Sequence, residues 1–354
     1  MSLSLQLKGG IGMVNIKKLY SLARIFWDYQ RRKIICSCLP TRLWIESTDM
    51  CNLRCIMCLN KSIPMEKKGF MELGLYKKII DEVSGYAHDI CLSHRGEPLM
   101  HPEIFEMIEY AKKRGLYVRL HTNATLLTEE KSRKLLDTGL DLISFSFDGY
   151  DKETYEKIRV NANFDITLDN IENFLKLKRE MKNKSPYTIL EVIEFPDVKE
   201  ENKENLKKLK MRLCSMHLDE FITKKLHNWA GDYSLRSRSK EKNSGNYLPC
   251  TFPWYASVIL WDGTVVPCPQ DFFGRYQIGN ISDNMLSELW NNDKMVSLRK
   301  KMINRDIRDL RACVECDRLH RKAIFGVPAQ YLIPFLIDNI GYNIVRKMIK
   351  SHER

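Results

Sequence analysis

From residue 41 onward, short runs rich in β-branched and aromatic residues alternate with amphipathic stretches. This alternation restricts the chain to parallel strands joined by helical crossovers. Strands are expected at 43–47, 88–93, 116–122, 142–147, 187–195 and 219–226, with helices at 74–84, 102–114, 128–138, 167–182 and 199–215. The second of these helices begins at Pro102 and stops before Gly115, where proline and glycine suit a helix start and end. An open doubly wound sheet and a partial barrel both satisfy the pattern. At 354 residues the chain has room for this core and a smaller companion. The expected divisions are a basic amphipathic segment at 1–40, the strand–helix part at 41–231, a Ser-, Arg-, Lys-, Asn- and Gly-rich linker at 232–249, a cysteine-bearing part at 250–320 and an amphipathic helix in 321–354.

Eleven cysteines without a secretory signal point to metal or redox chemistry in a reducing compartment. Cys51, Cys55 and Cys58 form a Cys-x3-Cys-x2-Cys run just after the first strand, on the side of a parallel α/β sheet where ligands bind. Three such thiolates reach one polynuclear centre from a single loop and leave one iron of a 4Fe–4S cluster open. A zinc knuckle borrowing a distant ligand is the alternative. Cys250, Cys268, Cys313 and Cys316 supply four thiolates, enough to close a 4Fe–4S cluster or a zinc ribbon. Cys36, Cys38 and Cys214 read as packing residues.

The first cysteine run resembles the signature of the radical S-adenosylmethionine (SAM) enzymes, and later segments follow in that family's order. Arg95-Gly96-Glu97-Pro98 is similar to its Gly-Gly-Glu-Pro segment, with Arg95 in place of the first glycine. Thr122-Asn123-Ala124-Thr125 is similar to Thr-Asn-Gly-Thr, Ser144-Phe-Ser146-Phe-Asp148-Gly149 to the serine-bearing fourth strand, and Tyr155-Glu-Lys-Ile-Arg159 to the stretch that follows. Met57 stands where an aromatic is usual. The resemblance implies a partial (β/α)6 TIM-like barrel with a 4Fe–4S cluster on Cys51, Cys55 and Cys58. SAM would then meet Gly96, Glu97, Pro98, Asn123, Ser144, Ser146 and Arg159. Glu97 would offer its carboxylate to the SAM ammonium, and Ser146, ahead of Ser144, a hydroxyl to the carboxylate or ribose. The late cysteines, with Gly279-Asn280 and Leu286-Ser-Glu-Leu-Trp290, resemble the family's SPASM extension in its shortened twitch form. That implies a small α+β cysteine-rich domain with one auxiliary 4Fe–4S cluster on Cys250, Cys268, Cys313 and Cys316, since no cysteine follows Cys316.

The implied activity is a radical SAM oxidoreductase: SAM is reductively cleaved to a 5′-deoxyadenosyl radical, which abstracts hydrogen from a polyol, sugar-type or lipid-linked alcohol. A peptide-modifying maturase and an epimerase with Cys91 as hydrogen donor are the alternatives within the family. A non-catalytic iron–sulfur or zinc protein binding an anionic partner is the alternative outside it. A flavodoxin or ferredoxin is the expected electron donor, and Trp229 a candidate wall of the substrate pocket. The net charge of +12 is concentrated at the ends: residues 1–40 hold seven Lys or Arg against one Asp. With their apolar faces, both ends either dock over the open sides of the barrel or rest on an anionic membrane surface. The longest late apolar run, Tyr331 to Ile337, falls short of the roughly 18–20 residues of a membrane span. A cytoplasmic protein is expected. No nucleic-acid-binding pattern accompanies the charge, so nucleic acid is not an expected partner.

Overall fold

A computed structural model describes residues 16–194, 201–225, 229, 247–316, 319, 323–324 and 327–328. The expected linker interior and C-terminal helix lie outside them. Helix α1 (Ile16–Gln30) precedes an alternating series: β1 (Arg42–Ile45), α2 (Leu73–Val83), β2 (Asp89–Cys91), α3 (Ile104–Lys113), β3 (Tyr117–Thr122), α4 (Glu129–Asp137), β4 (Leu142–Ser146), α5 (Lys152–Ile158), α6 (Phe164–Glu180), β5 (Tyr187–Glu194), α7 (Glu201–Ser215) and β6 (Glu220–Lys225). Helix α5 was not expected from the sequence. It has seven residues and buries Tyr155 and Ile158, too few apolar positions to mark a helical period. Asn163 caps α6, its side chain accepting from the Ile166 N–H, so that helix starts earlier than its apolar pattern.

The first six strands pair in parallel and in chain order, β6-β5-β4-β3-β2-β1. A doubly wound sheet reverses its strand order at a switch point. Here there is no reversal, so successive right-handed crossovers place the helices on one face and the sheet curls as a partial barrel. The later strands β7 (Ala256–Ile259), β8 (Thr264–Val266) and β9 (Gly279–Asn280) extend this sheet: β7 pairs in parallel with β1, and β8 and β9 follow antiparallel. The cysteine-bearing part is therefore continuous with the barrel sheet. It also carries the short helix α8 (Phe252–Tyr255), α9 (Leu286–Leu289), α10 (Asp293–Asn304) and α11 (Arg311–Val314), and a small hairpin of β10 (Ala323–Ile324) with β11 (Val327–Pro328) follows it.

Side chains alternate across a strand. Leu43, Ile45, Ile90, Val118, Leu120, Ile143, Phe145, Leu190 and Val192 face the helices and join the main core. The opposite, interior row mixes polar side chains with Trp44, Leu142, Ile189 and Ile222. Asp89 lies between Arg42 and Arg119 at 2.9 and 2.8 Å, and Glu191 pairs with Lys224 at 2.7 Å.

The N-terminal segment docks on the cysteine-bearing part rather than over the barrel's open sides. The Tyr29 ring meets Trp254 edge-on at 5.4 Å, Trp254 Nε1 donates to the Lys33 carbonyl, and Trp290 Nε1 donates to that of Cys38. Arg299, fully buried, binds the carbonyls of Ile34, Pro253 and Trp290. The outer face of α1 leaves Tyr20 and Trp27 exposed beside Arg24 and Arg31.

Candidate active site

The loop after β1 carries Cys51, Cys55 and Cys58, and three neighbouring segments fix its backbone. The N–H groups of Arg54 and Ile56 donate to the Val160 and Ile158 carbonyls at the end of α5. The Asn60 side chain donates to the carbonyls of Asp49 at 2.7 Å and Arg95 at 3.0 Å. Asn52 exchanges hydrogen bonds with Asn123 and Thr125 beyond β3. Gly96 lies flat against this loop: a Cβ there would stand 2.4 Å from the Thr48 carbonyl oxygen and 2.5 Å from that of Met50. Leu53, Cys55, Met57 and Ile158 form a small buried cluster, with Cys51, Cys58 and Ile193 against it. Burial pushes the Cys51 thiol up to about 12, and the nearby Glu97, Cys58 and Cys55 add to the shift.

Glu97 is 2% exposed, and its carboxylate accepts from Thr122 Oγ1 at 2.7 Å, Asn123 N–H at 2.7 Å and Leu99 N–H at 3.1 Å. It ties the segment after β2 to the end of β3, so the carboxylate expected to meet an ammonium is engaged within the protein. Burial raises its pKa, against the pull of those donors and Arg159. Pro98 opens the single 3-10 turn that Glu97 caps. Ser144 and Ser146 share the interior face of β4; Ser144 is fully buried and Ser146 is partly exposed.

Arg159 Nη2 pairs with Asp148 at 2.6 Å, and Asp148 also accepts from the Ile193 N–H at 2.7 Å. Burial works against the guanidinium, but the charges of Asp148 and Cys55 hold it firmly protonated. Its Nε is buried without a hydrogen-bond partner among the described residues. A buried cation with a free donor, beside three clustered thiols, fits an anionic group at this position.

The second cysteine set lines a cavity of about 110 Å³ with Cys250, Cys268, Cys313 and Cys316 in its wall and Leu298, Met302 and Leu310 closing it. Burial and their mutual proximity push the Cys268 and Cys313 thiols well above the ordinary range. Four thiolates in such a box need a bound cation. One zinc would draw its sulfurs to about 2.3 Å. A cavity lined by four thiols suits a polynuclear cluster, in which each thiolate takes a different iron, as well as a zinc ion. The Gln270 N–H donates to Cys268 Sγ at 3.2 Å, a contact of the kind that tunes cluster sulfurs.

Residues 45–209 match the family model of the radical SAM superfamily, and residues 250–317 match that of the SPASM iron–sulfur cluster-binding domain. The chain belongs to the radical SAM superfamily. It is a radical SAM enzyme whose cofactors are SAM, a 4Fe–4S cluster and the auxiliary iron–sulfur chemistry of a SPASM domain. A tungsten-containing aldehyde ferredoxin oxidoreductase cofactor-modifying protein of Pyrococcus furiosus is 26% identical over 298 residues, 73% of this chain and 82% of its own. The structure of BtrN in complex with AdoMet and 2-DOIA superposes with a TM-score of 0.52 at 19% identity, covering 78% of this chain and 93% of that one. Streptococcus suis SuiB bound to its precursor peptide SuiA superposes with a TM-score of 0.61 at 14% identity, covering 84% and 75%. At these identities the two structures share the fold with this radical SAM enzyme. No described helix is long and apolar enough to cross a membrane.

The partners of three groups in the site were not foreseen from the sequence. Arg95, the departure from the family pattern, forms a two-pronged ion pair with Glu46 at 2.7 and 2.6 Å, reaches Asp49 at 3.5 Å and donates to the Phe272 carbonyl at 3.4 Å. Glu46 also accepts from the Trp261 N–H, so one buried pair joins the SAM segment, the end of β1 and the loops around β8. The His94 ring lies tilted against Phe272 at 6.1 Å, and Phe272 meets Trp229 at 5.0 Å; burial and the Arg95 charge push the His94 imidazole down to about 3, so it is neutral. His121 and Glu191 share the barrel interior with Cys91, which is fully buried. His101 binds the Met71 carbonyl and the Glu103 N–H, a structural arrangement.

Proposed function

We propose that this radical SAM enzyme oxidises a small polyol, sugar-type or lipid-linked alcohol, with residues 41–231 as the SAM-binding barrel and residues 250–320 as a twitch-type part holding one closed auxiliary cluster. The observation that carries this reading is the set of polar side chains in the barrel interior, where Asp89, Arg119, His121, Ser144, Ser146, Glu191 and Lys224 face inward among Trp44, Leu142, Ile189 and Ile222. Such a wall binds a hydroxylated, hydrogen-bonding substrate and disfavours a flat apolar one. When bound, SAM and its cluster supply a 5′-deoxyadenosyl radical that removes a substrate hydrogen, and a four-thiolate cluster supplies a place for one electron.

The chain's own residues hold these groups. Cys51, Cys55 and Cys58 ligate the first cluster, and Cys250, Cys268, Cys313 and Cys316 the second. Arg159 offers its free Nε–H to the SAM carboxylate, with Ser146 or Ser144 as a second donor. Gly96 and Pro98 shape the backbone against the cysteine loop, and Glu97 and Asn123 brace that backbone from β3. The 2-DOIA-bound BtrN neighbour supports a small-molecule substrate. A flavodoxin- or ferredoxin-type protein is the fitting electron donor. The name of the Pyrococcus relative favours a second reading, modification of a cofactor, and the SuiA-bound SuiB neighbour extends it to a peptide.

A panel of aminocyclitols, sugar alcohols and isoprenoid-linked sugars, incubated anaerobically with reconstituted, reduced protein and SAM, separates the two. An alcohol substrate raises 5′-deoxyadenosine formation with an equal amount of carbonyl product, trapped as a hydrazone. No rise with any alcohol rejects the first reading. Contact with an anionic membrane through the outer face of α1 would bring a lipid-linked substrate within reach; failure of the protein to float with anionic liposomes rejects that contact.

A further inference from the structure

We propose that Asp271, in the wall of the second cysteine cavity, holds the reduction potential of the auxiliary cluster down; this rests on the closed-cluster part of the reading above and not on its substrate. Asp271 lies in the loop between β8 and β9, shortly after Cys268, and lines the cavity together with all four cysteines. Its N–H donates to the Cys268 carbonyl at 3.3 Å, and its own carbonyl accepts from the Gly274 N–H at 3.1 Å, closing a tight turn. The carboxylate accepts from the Arg275 N–H at 2.9 Å and the Tyr276 N–H at 2.7 Å. Backbone donors thus fix it at the cavity, and the residue is only 3% exposed.

Charge on this wall is unevenly placed. Among its described charged residues Asp271 is buried, whereas Arg275, Asp309 and Arg311 are exposed. The Arg275 guanidinium lies over the Phe273 ring at 5.1 Å, and Asp309 pairs with Lys301. Water and salt screen the exposed charges, while a buried one acts through a medium of low dielectric. A cluster on four thiolates is already anionic, and an added electron makes it more so. A fixed carboxylate beside it opposes that electron, and the net charge around a cluster is one of the quantities that set its potential. The thiols feel the same field: burial pushes Cys313 well above the ordinary range, and Cys250, Cys316 and Asp271 push it further. The Gln270 N–H on Cys268 Sγ acts in the opposite sense, because a donor to sulfur favours the electron-rich state. A low potential suits a site that hands an electron on over one that stores it.

The midpoint potential is read by an anaerobic dithionite titration followed by EPR. The full chain carries Cys51→Ala, Cys55→Ala and Cys58→Ala, so that the auxiliary cluster gives the signal. In that background Asp271→Asn is expected to favour reduction about tenfold, a rise of about 59 mV for one electron. Asp271→Glu, which keeps the charge, and Asp309→Asn, at an exposed position of the same wall, are expected to leave the potential in place. If Asp271→Asn does not retain its iron, the rise is read in Asp271→Ser, whose hydroxyl can still accept from a turn N–H. A potential that does not rise overturns the proposal. An equal rise in Asp271→Asn and Asp271→Glu overturns it too, because Asp271 would then act only by shaping the turn, and so does loss of iron from both the asparagine and the serine variants. Metal analysis of the unvaried protein judges the closed-cluster reading separately. Zinc in the second site rejects that reading together with the proposal, whereas iron with an unmoved potential rejects the proposal alone.

Discussion

Single residues in this molecule act by what they leave satisfied. Glu97 accepts three hydrogen bonds in a buried place, and removal of the acceptor strands three donors. Glu97→Ala is expected to cost on the order of 3 kcal/mol in denaturant unfolding of the loaded protein, and Glu97→Gln, which keeps one acceptor oxygen, less than half as much. Equal losses would show that the hydrogen bonds are not what Glu97 contributes. Asp89 gives a pH signature. Burial pushes its carboxyl up, but Arg119 and Arg42 prevail and hold the folded value below the unfolded one. The folded form thus binds fewer protons, so the stabilisation is complete above the unfolded value of about 4 and is lost as pH falls through the lower folded value. The stability gap between the native protein and Asp89→Asn should be flat from pH 8 to about 5 and shrink only nearer 4. A gap that shrinks already at pH 7 points to another group.

At the scale of elements, the cysteine loop owes its shape to contacts no local pattern records: α5 from one side, Asn123 from another and the Gly96 backbone from a third. Gly96→Ala drives a methyl group into two carbonyl oxygens that belong to backbone and cannot swing aside. The expected result is a destabilisation of about 1–3 kcal/mol, the scale of overpacking a tight interior. A loss of SAM affinity measured by equilibrium dialysis should accompany it; unchanged stability and affinity would mean that the loop yields. The strands were legible because apolar faces repeat along them. Helix α5 was not, because its seven residues bury only two side chains and its worth lies in the carbonyls it offers to Arg54 and Ile56.

The whole molecule is joined across its two cysteine sites by the Glu46–Arg95 pair, with side chains 0% and 8% exposed. Arg95→Met leaves a buried carboxylate without its partner, at a cost of about 3–5 kcal/mol, whereas Arg95→Met with Glu46→Gln should recover most of it. Thermal unfolding of the loaded proteins measures both, and a double variant no better than the single one rejects the pairing account. Iron content reports the two sites separately. Reconstituted protein should bind about eight irons, two clusters of four. Cys268→Ala should bind about four and still cleave SAM, whereas Cys55→Ala should bind about four and not cleave it. Zinc in place of half the iron would revise the auxiliary site.

The sequence alone determined the alternating strands and helices and the two cysteine sets. It also determined the order of the SAM-like segments, because these depend on neighbours in the chain and on side-chain period. It left barrel and open sheet undecided, since both follow from the same alternation, and strand order settled the matter. Only the tertiary structure gave Arg95 its partner and turned the Glu97 carboxylate inward. Each of these depends on residues of different strands and loops coming together in a buried space. There a charge or donor must find a partner, and nothing local in the chain names which one it will be.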